Sequence, residues 1–208
     1  MAHAQPNSSD ARAFEILAIE QTLPWIRFSP QSPQTLKDFF KTWPPSSTSQ
    51  SDVAWICVGN SRLQPGDSGK DSTDTAGLQK AWDDICTNHQ PTITDLDELA
   101  RRCDILVGKW LVFARSANVD SLWSRIATAT HMGTLGISAK VSPRSNSDSH
   151  VICVFTRDYT DVGSVNKVRD GLRRLGIKGV IGYKPNIYTH CRVYRNNPWG
   201  ISPTRYHQ

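Results

Sequence analysis

The chain has 208 residues and a formal net charge of +5 at pH 7, and 38% of its residues are hydrophobic and 21% charged. This length favours one substantial domain, and the composition excludes collagen-like and broadly disordered proteins. No apolar run approaches the roughly 20 residues that cross a bilayer, and the first residues lack the pattern of a secretory signal. We therefore expect no membrane contact and a cytoplasmic location, with the nucleus as the alternative.

The chain is predicted to divide at residue 50 into an N-terminal segment and a folded domain. Residues 1–50 form an N-terminal arm and linker, with a short helix near 33–41, and residues 51–208 form the domain. A continuous apolar run predicts a strand over 53–58, and a polar loop follows over 60–72. Apolar residues at helical spacing predict two helices. The first contains Leu78, Trp82 and Ile85 and is capped by Thr73 or Asp74. The second begins at Thr94 and contains Leu96, Leu99 and Cys103.

Strands and helices alternate regularly in the second half. Strands are expected over 109–115, 136–142, 150–157 and 179–183. One helix begins at Asn118 and ends near Gly133, and another begins at Asp161 or Ser164 and ends at Gly176. This β-α-β-β-α-β order predicts a split β-α-β arrangement, an α+β fold in which two helices cover one face of an antiparallel sheet. The other face is then open to a ligand.

The charge is divided unevenly between the two halves. Residues 1–104 contain 9 Lys+Arg and 14 Asp+Glu, a net −5, whereas residues 105–208 contain 15 and 5, a net +10. A basic half beside an acidic half is typical of a protein that attracts polyanions to one surface. Solvated charges on helix faces explain the same counts equally well.

Two segments resemble the mRNA cap-binding translation initiation factor 4E family. The first segment is 108–113, followed by the helix that contains Trp123. The second is 176–177, followed by 180–183. Four further pieces are similar, in order, to the family of basophilic-leukaemia-expressed proteins, and they lie at 139–142, 151–158, 183–189 and 193–206.

Together these similarities span roughly residues 50–206. They imply a curved antiparallel sheet with helices on its convex face. The alternative is a ferredoxin-like fold of the RNA-recognition kind, for which the strand at 150–157 offers only Phe155 as an aromatic.

The cap-binding residues themselves are missing from the sequence. Cap-binding proteins hold a methylguanine between two Trp rings and bind its edge through a Glu, which requires aromatic faces on both sides. The corresponding loops here, 60–72 and 100–107, contain no aromatic residue and no Trp-Glu pair. The resemblance therefore implies no cap binding in the usual geometry, although Lys140 and Arg144 fall near the phosphate-binding positions of that family.

Aromatic and basic residues are interleaved over 183–206, a pattern typical of single-stranded RNA or nucleotide binding. Sheet packing and hydrogen bonds to the backbone explain the same residues. Alternation along the strand at 136–142 places Lys140 opposite Ala139 and Val141, on the open face if those two face the helices. The predicted phosphate- and base-binding residues are Lys140, Arg144, Arg157, Lys184, Tyr188, Tyr194, Arg195 and Trp199.

Signals for catalysis, metal or cofactor binding are absent from the sequence. The six histidines are isolated, and the five cysteines are widely spaced and odd in number, which indicates buried thiols in a reducing compartment. We therefore expect no cofactor, no metal and no catalytic residue. The hypothesis is a non-catalytic module that binds RNA or a phosphorylated nucleotide on a basic open face. Another hypothesis, an enzyme that acts on nucleotide phosphates through Lys140, Arg157 and Lys184, has only Asp158 as an acid/base candidate.

Tryptophans supply the alternative function. Five of them lie at apolar or strand positions and are assigned to the core: Trp25, Trp55, Trp82, Trp110 and Trp123. Trp82 has a second interpretation, as the docking residue for a partner helix on the convex face. In that case the protein is an interaction adaptor.

Overall fold

The computed structural model describes residues 22–31, 33–63 and 75–208. Its strands and helices follow one another as β1 (Trp25–Arg27), α1 (Leu36–Thr42), β2 (Trp55–Gly59), α2 (Thr75–Asn88), α3 (Ile93–Arg102), β3 (Gly108–Ala114), α4 (Ser116–His131), β4 (Ser138–Val141), β5 (His150–Thr156), α5 (Val162–Arg174), β6 (Gly182–Pro185), α6 (Asn186–His190) and β7 (Tyr206–His207).

All seven strands form one sheet in the order β1-β2-β4-β5-β3-β6-β7. β1 and β2 are parallel, and every other neighbouring pair is antiparallel. The unit β3-α4-β4 encloses β5 between its two strands, and the unit β5-α5-β6 encloses β3. The fold therefore consists of two interleaved split β-α-β units, extended by short strands at both edges, and the predicted α+β order is confirmed.

The helices cover one face of this sheet and form the main core with it. Alternation along β3 sends Trp110 and Val112 into that core, together with Ile152 and Val154 of β5. Each of the six helices named above contributes apolar side chains, including Phe39, Trp82, Leu99, Trp123, Val165 and Ile187. The indole of Trp110 also donates a hydrogen bond to the carbonyl oxygen of Val165, at 3.0 Å, which fixes α5 against the centre of the sheet.

Two helix starts differ from the prediction. The residue that caps α3 is Thr92, two residues before the predicted Thr94. The Thr92 hydroxyl accepts a hydrogen bond from the backbone N–H of Asp95, and the Asp95 carboxylate accepts one from the backbone N–H of Thr92. α4 begins at Ser116 and follows Arg115, so Asn118 lies inside its first turn. The predicted cap Asp161 is present and accepts from Ser164 N at 3.1 Å.

Other differences lie at the edges of the sheet. The last predicted strand, 179–183, is displaced to Gly182–Pro185, and Val180 is exposed in the turn before it. The segment interpreted as an arm and linker contributes strand β1 and helix α1 to the same sheet and core. The caps predicted at Thr73 and Asp74, and most of the loop 60–72, lie outside the described residues.

Candidate nucleic-acid interface

The face of the sheet opposite the helices carries every Lys and Arg of the seven strands. Arg27 pairs with Cys57, and Cys57 pairs with Lys140, so the three residues lie in one row across the sheet. Lys109 and Lys184 pair directly in the next row. The same strands contain no Asp or Glu. The open face therefore has four cationic side chains and no carboxylate on its strands, which favours anionic ligands.

Lys140 lies on this face between two tryptophan rings. Its ammonium is 3.8 Å from the ring centre of Trp55 and 4.4 Å from that of Trp25, and the residue is only 8% exposed. These are cation–π distances. Both tryptophans were predicted to lie in the core, and they do belong to an apolar cluster, but it is the smaller one on the open face of the sheet. The alternation of side chains along β2 could have shown this, because Ile56 faces the helices and its neighbour Trp55 must therefore face the other way.

Lys184 is the other buried cation of the face. It is 7% exposed, donates from Nζ to the carbonyl oxygen of Val193 at 2.9 Å, and lies 4.0 Å from the ring centre of Tyr194. Burial, together with the nearby charge of Lys109, lowers the pKa of Lys184 to about 7. Lys140 and Lys184 share a face but are three strands and one row apart, about 16 Å.

Arg144 lies at the edge of an open groove beside this face. The groove has a volume of about 380 Å³ and is lined by Leu23, Ser49, Gln50, Ser51, Arg144, Ser145 and Asn146. The backbone of Arg144 donates to Thr48 O at 2.8 Å and accepts from Gln50 N at 2.9 Å, so this turn is held firmly. Leu23 also packs against the cluster around Trp55, so groove and open face adjoin. None of the described residues that line the groove carries a carboxylate.

The remaining predicted residues are dispersed. Arg157 and Arg195 are exposed, at the end of β5 and after α6 respectively, and Tyr194 is half-buried beside Lys184. Tyr188 is in the main core on the helix side of the sheet, 1% exposed, where a base has no access to it in this conformation. Of the predicted binding residues within 183–206, the structure thus brings Lys184 and Tyr194 together on the open face.

Trp82 and Trp199 form a contact of their own. Trp82, the predicted docking residue, is only 2% exposed, because Trp199 packs against it edge-on with ring centres 4.9 Å apart. Trp199, predicted to bind RNA, is half-buried by the same contact. A partner helix would reach Trp82 only after Trp199 had moved away.

A serine and a histidine that sequence analysis did not single out are hydrogen-bonded beside α4. His150 Nδ1 is 2.9 Å from the carbonyl oxygen of Ser142, so it carries the proton, and Nε2 accepts from Ser116 Oγ at 3.0 Å. A nucleophile and its base have this geometry. However, the Asp148 carboxylate accepts the Ser116 N–H at 3.1 Å, where an oxyanion would need a donor. We interpret these hydrogen bonds as structural contacts that hold α4 against the β4–β5 hairpin.

The cysteines of the chain are all free thiols, and three of them are buried. In the part of the chain that the structure describes, no three His, Cys, Asp or Glu side chains are grouped as a metal site. None of the described helices is long and apolar enough to cross a membrane.

These features define an α+β protein with an open, mostly antiparallel seven-stranded sheet, helices on one side of it, and a cationic and aromatic opposite face. The chain belongs to the family described as Basophilic leukemia-expressed protein Bles03, whose model matches residues 66–192, more than half of the sequence.

One solved structure to which the chain is similar is described as schistosome eIF4E complexed with m7GpppA and 4E-BP. The sequence identity is 18% and the TM-score is 0.38. The match covers 49% of this chain and 58% of that one, so it spans just under half of this chain and somewhat more than half of the other.

Proposed function

We propose that this protein is a non-catalytic module that binds single-stranded RNA or a phosphorylated nucleotide on the open face of its sheet. The observation that carries the proposal is that Arg27, Lys109, Lys140 and Lys184 all lie on that face, while its strands contain no carboxylate. Phosphates are drawn to such a surface, and contacts with them supply most of the affinity of non-specific binding.

The cations of the face have two different roles in this proposal. Lys140 is buried, so it contributes positive potential rather than a freely moving contact. Lys184 is also buried, and because its pKa is about 7 it contributes only part of a charge at neutral pH. Arg27 on the face, Arg144 in the adjoining groove and Arg157 just after β5 are exposed, and we assign to them the direct contacts to phosphate oxygens. The groove beside Arg144 adds serine hydroxyls and amide groups, which donate hydrogen bonds to the same oxygens.

Fluorescence anisotropy of a short labelled RNA tests the proposal. The apparent Kd is measured at about 50 mM and about 200 mM salt, since each phosphate contact on a single strand contributes about −0.7 to the slope of log K against log salt. We expect Arg144→Ala and Arg27→Ala to weaken binding and flatten that slope. Arg174→Ala is the control, because it removes an equal charge from the exposed surface of α5, on the helix side.

Two results would contradict the proposal. One is an affinity that does not change between the two salt concentrations. The other is an equal effect of Arg144→Ala and Arg174→Ala, which would mean that net charge alone attracts the RNA. The adaptor alternative has no comparable support, because Trp199 covers the docking residue Trp82.

A further inference from the structure

Two phenylalanines lie on the open face of the two central strands, β3 and β5. Phe113 is 68% exposed, which is unusual for a large aromatic side chain within a sheet, and Phe155 is half-buried. Phe113 pairs across the strands with Val151, and Phe155 pairs with Lys109. Both rings therefore belong to the surface assigned to the ligand, and neither belongs to the main core.

The surface between the two rings is apolar. Phe155 is four residues beyond Val151 along β5, a separation of about 13 Å. Leu111 and Cys153 pair with each other between the rings, on the same face of the sheet. Phe113, Val151, Leu111, Cys153 and Phe155 form a continuous band across the centre of the sheet, which we call the apolar strip.

Cations border the apolar strip on both sides. The ammonium of Lys109 lies 5.7 Å from the ring centre of Phe155. Lys140 pairs with Cys153 on the neighbouring strand, and Arg27 lies further out in the same row. A ligand that matches this surface has flat apolar faces and negative charges at intervals beside them. A single nucleic-acid strand has both, and a protein helix or a lipid headgroup does not have that arrangement.

We infer that the apolar strip stacks the bases of a single-stranded nucleic acid, with Phe113 and Phe155 each beneath a different base. The separation of the rings is too large for one base to contact both. The inference rests on the proposed function and adds to it that bases, and not phosphates alone, are bound. A duplex is excluded from this contact, because its bases are already stacked on one another inside the helix.

Binding of three labelled probes to the full chain tests the inference. The probes are a short oligouridylate, an abasic strand with the same number of phosphates, and a duplex of the same length. Base–aromatic stacking contributes about 1–3 kcal/mol per base, so we expect Phe113→Ala to weaken oligouridylate binding by roughly 5-fold to 140-fold. We expect the same change to leave binding of the abasic strand unaltered. Phe113→Trp retains the stacking surface and is expected to restore the affinity.

Val180→Ala is the matched control, because Val180 is an exposed apolar residue outside the apolar strip. We expect it to change no affinity, and both variants to unfold at the wild-type temperature. If oligouridylate, duplex and abasic strand bind equally well to wild type and Phe113→Ala, the inference is wrong and the proposed function stands. If no probe binds in a salt-dependent way, the proposed function itself is wrong and the inference falls with it.

Discussion

The ammonium of Lys140 lies 3.8 Å from the ring centre of Trp55, with Trp25 on its other side. The lysine thereby joins strands β1 and β2 to β4, and the strand register places it beside Cys57 and Cys153 of the same small apolar cluster. A residue predicted to bind phosphate thus has a structural contact within the protein. Its charge still adds to the potential of the open face, because aromatic rings do not neutralise it.

We predict that Lys140→Met lowers the free energy of unfolding by about 1–2 kcal/mol, which is the range of a desolvated cation–π contact. Methionine retains the unbranched apolar stem, so the change removes mainly the ammonium. Urea denaturation followed by circular dichroism measures the effect. Lys178→Met, at an exposed position after α5, is the control and is expected to have no effect. Equal stability of wild type and Lys140→Met would show that the ring contacts contribute nothing.

The main elements were predictable because they are long enough to repeat a pattern. β3 and β5 have seven residues each and α4 has sixteen, so alternation and helical spacing are visible in each of them. β1 and β7 have three and two residues, which is too few for any period. β6 was displaced because it ends in Pro185, a residue depleted in strands, while the apolar pair at 180–181 precedes it.

The site was less predictable than the fold, because its contacts join distant parts of the chain. Alternation predicts the face on which Lys140 lies, but its aromatic neighbours come from β1 and β2, whose pairing the sequence does not show. The C-terminal segment illustrates the same limit. Its interleaved residues suggest one surface, yet Tyr188 packs in the core and Trp199 packs on Trp82.

Asp97 is predicted to be important for stability through two contacts. Its carboxylate accepts from the Tyr159 hydroxyl at 2.8 Å and lies 3.0 Å from Arg205, which joins α3 to the end of the chain. Burial and the hydrogen bond to Asp97 raise the pKa of Tyr159 above its usual range. Asp97→Asn leaves Arg205 without its ion pair, and we expect it to lower the free energy of unfolding by about 1–3 kcal/mol.

Asp170→Asn provides the comparison for Asp97→Asn. Asp170 is paired with Arg173 at 2.7 Å, but both side chains are exposed to solvent. Exposed pairs of this spacing contribute less than about 0.5 kcal/mol. Thermal unfolding of both variants measures the difference, and similar effects of the two changes would refute the role assigned to Asp97.

Gly108 is predicted to tolerate no side chain. A Cβ at this position would lie 2.2 Å from the hydroxyl oxygen of Tyr183. That ring cannot move aside, because it is fully buried between Trp110 and Tyr206 and hydrogen-bonded to Thr156. We expect Gly108→Ala to lower the free energy of unfolding by about 1–3 kcal/mol.

Gly179→Ala is the matched control for Gly108→Ala, because a Cβ there meets nothing within 4 Å. Alanine reduces the conformational freedom of the unfolded chain, so this change should be neutral or slightly stabilising. Urea denaturation of the two variants side by side measures both effects. If Gly108→Ala proved as stable as Gly179→Ala, Tyr183 would be less tightly held than its contacts indicate.

Lys184 is predicted to make stability increase with pH. Its pKa is lowered to about 7 in the folded protein, because it is buried and lies near Lys109, whereas the ordinary value is 10.5. Between those two values the unfolded chain binds more protons than the folded one, so the free energy of unfolding rises with pH. Below about pH 7 both states are protonated and the full cost of burying the charge remains.

Lys184→Met removes this titration and should flatten the pH dependence between about pH 7 and pH 9.5. Urea unfolding of wild type and variant at both pH values measures the difference in slope, and groups common to both proteins cancel in it. The loss of the hydrogen bond to Val193 lowers stability equally at each pH, so it does not affect the slope. Lys178→Met, which is exposed, should keep the wild-type slope. A Lys184→Met slope as steep as that of the wild type would show that another group titrates over this range.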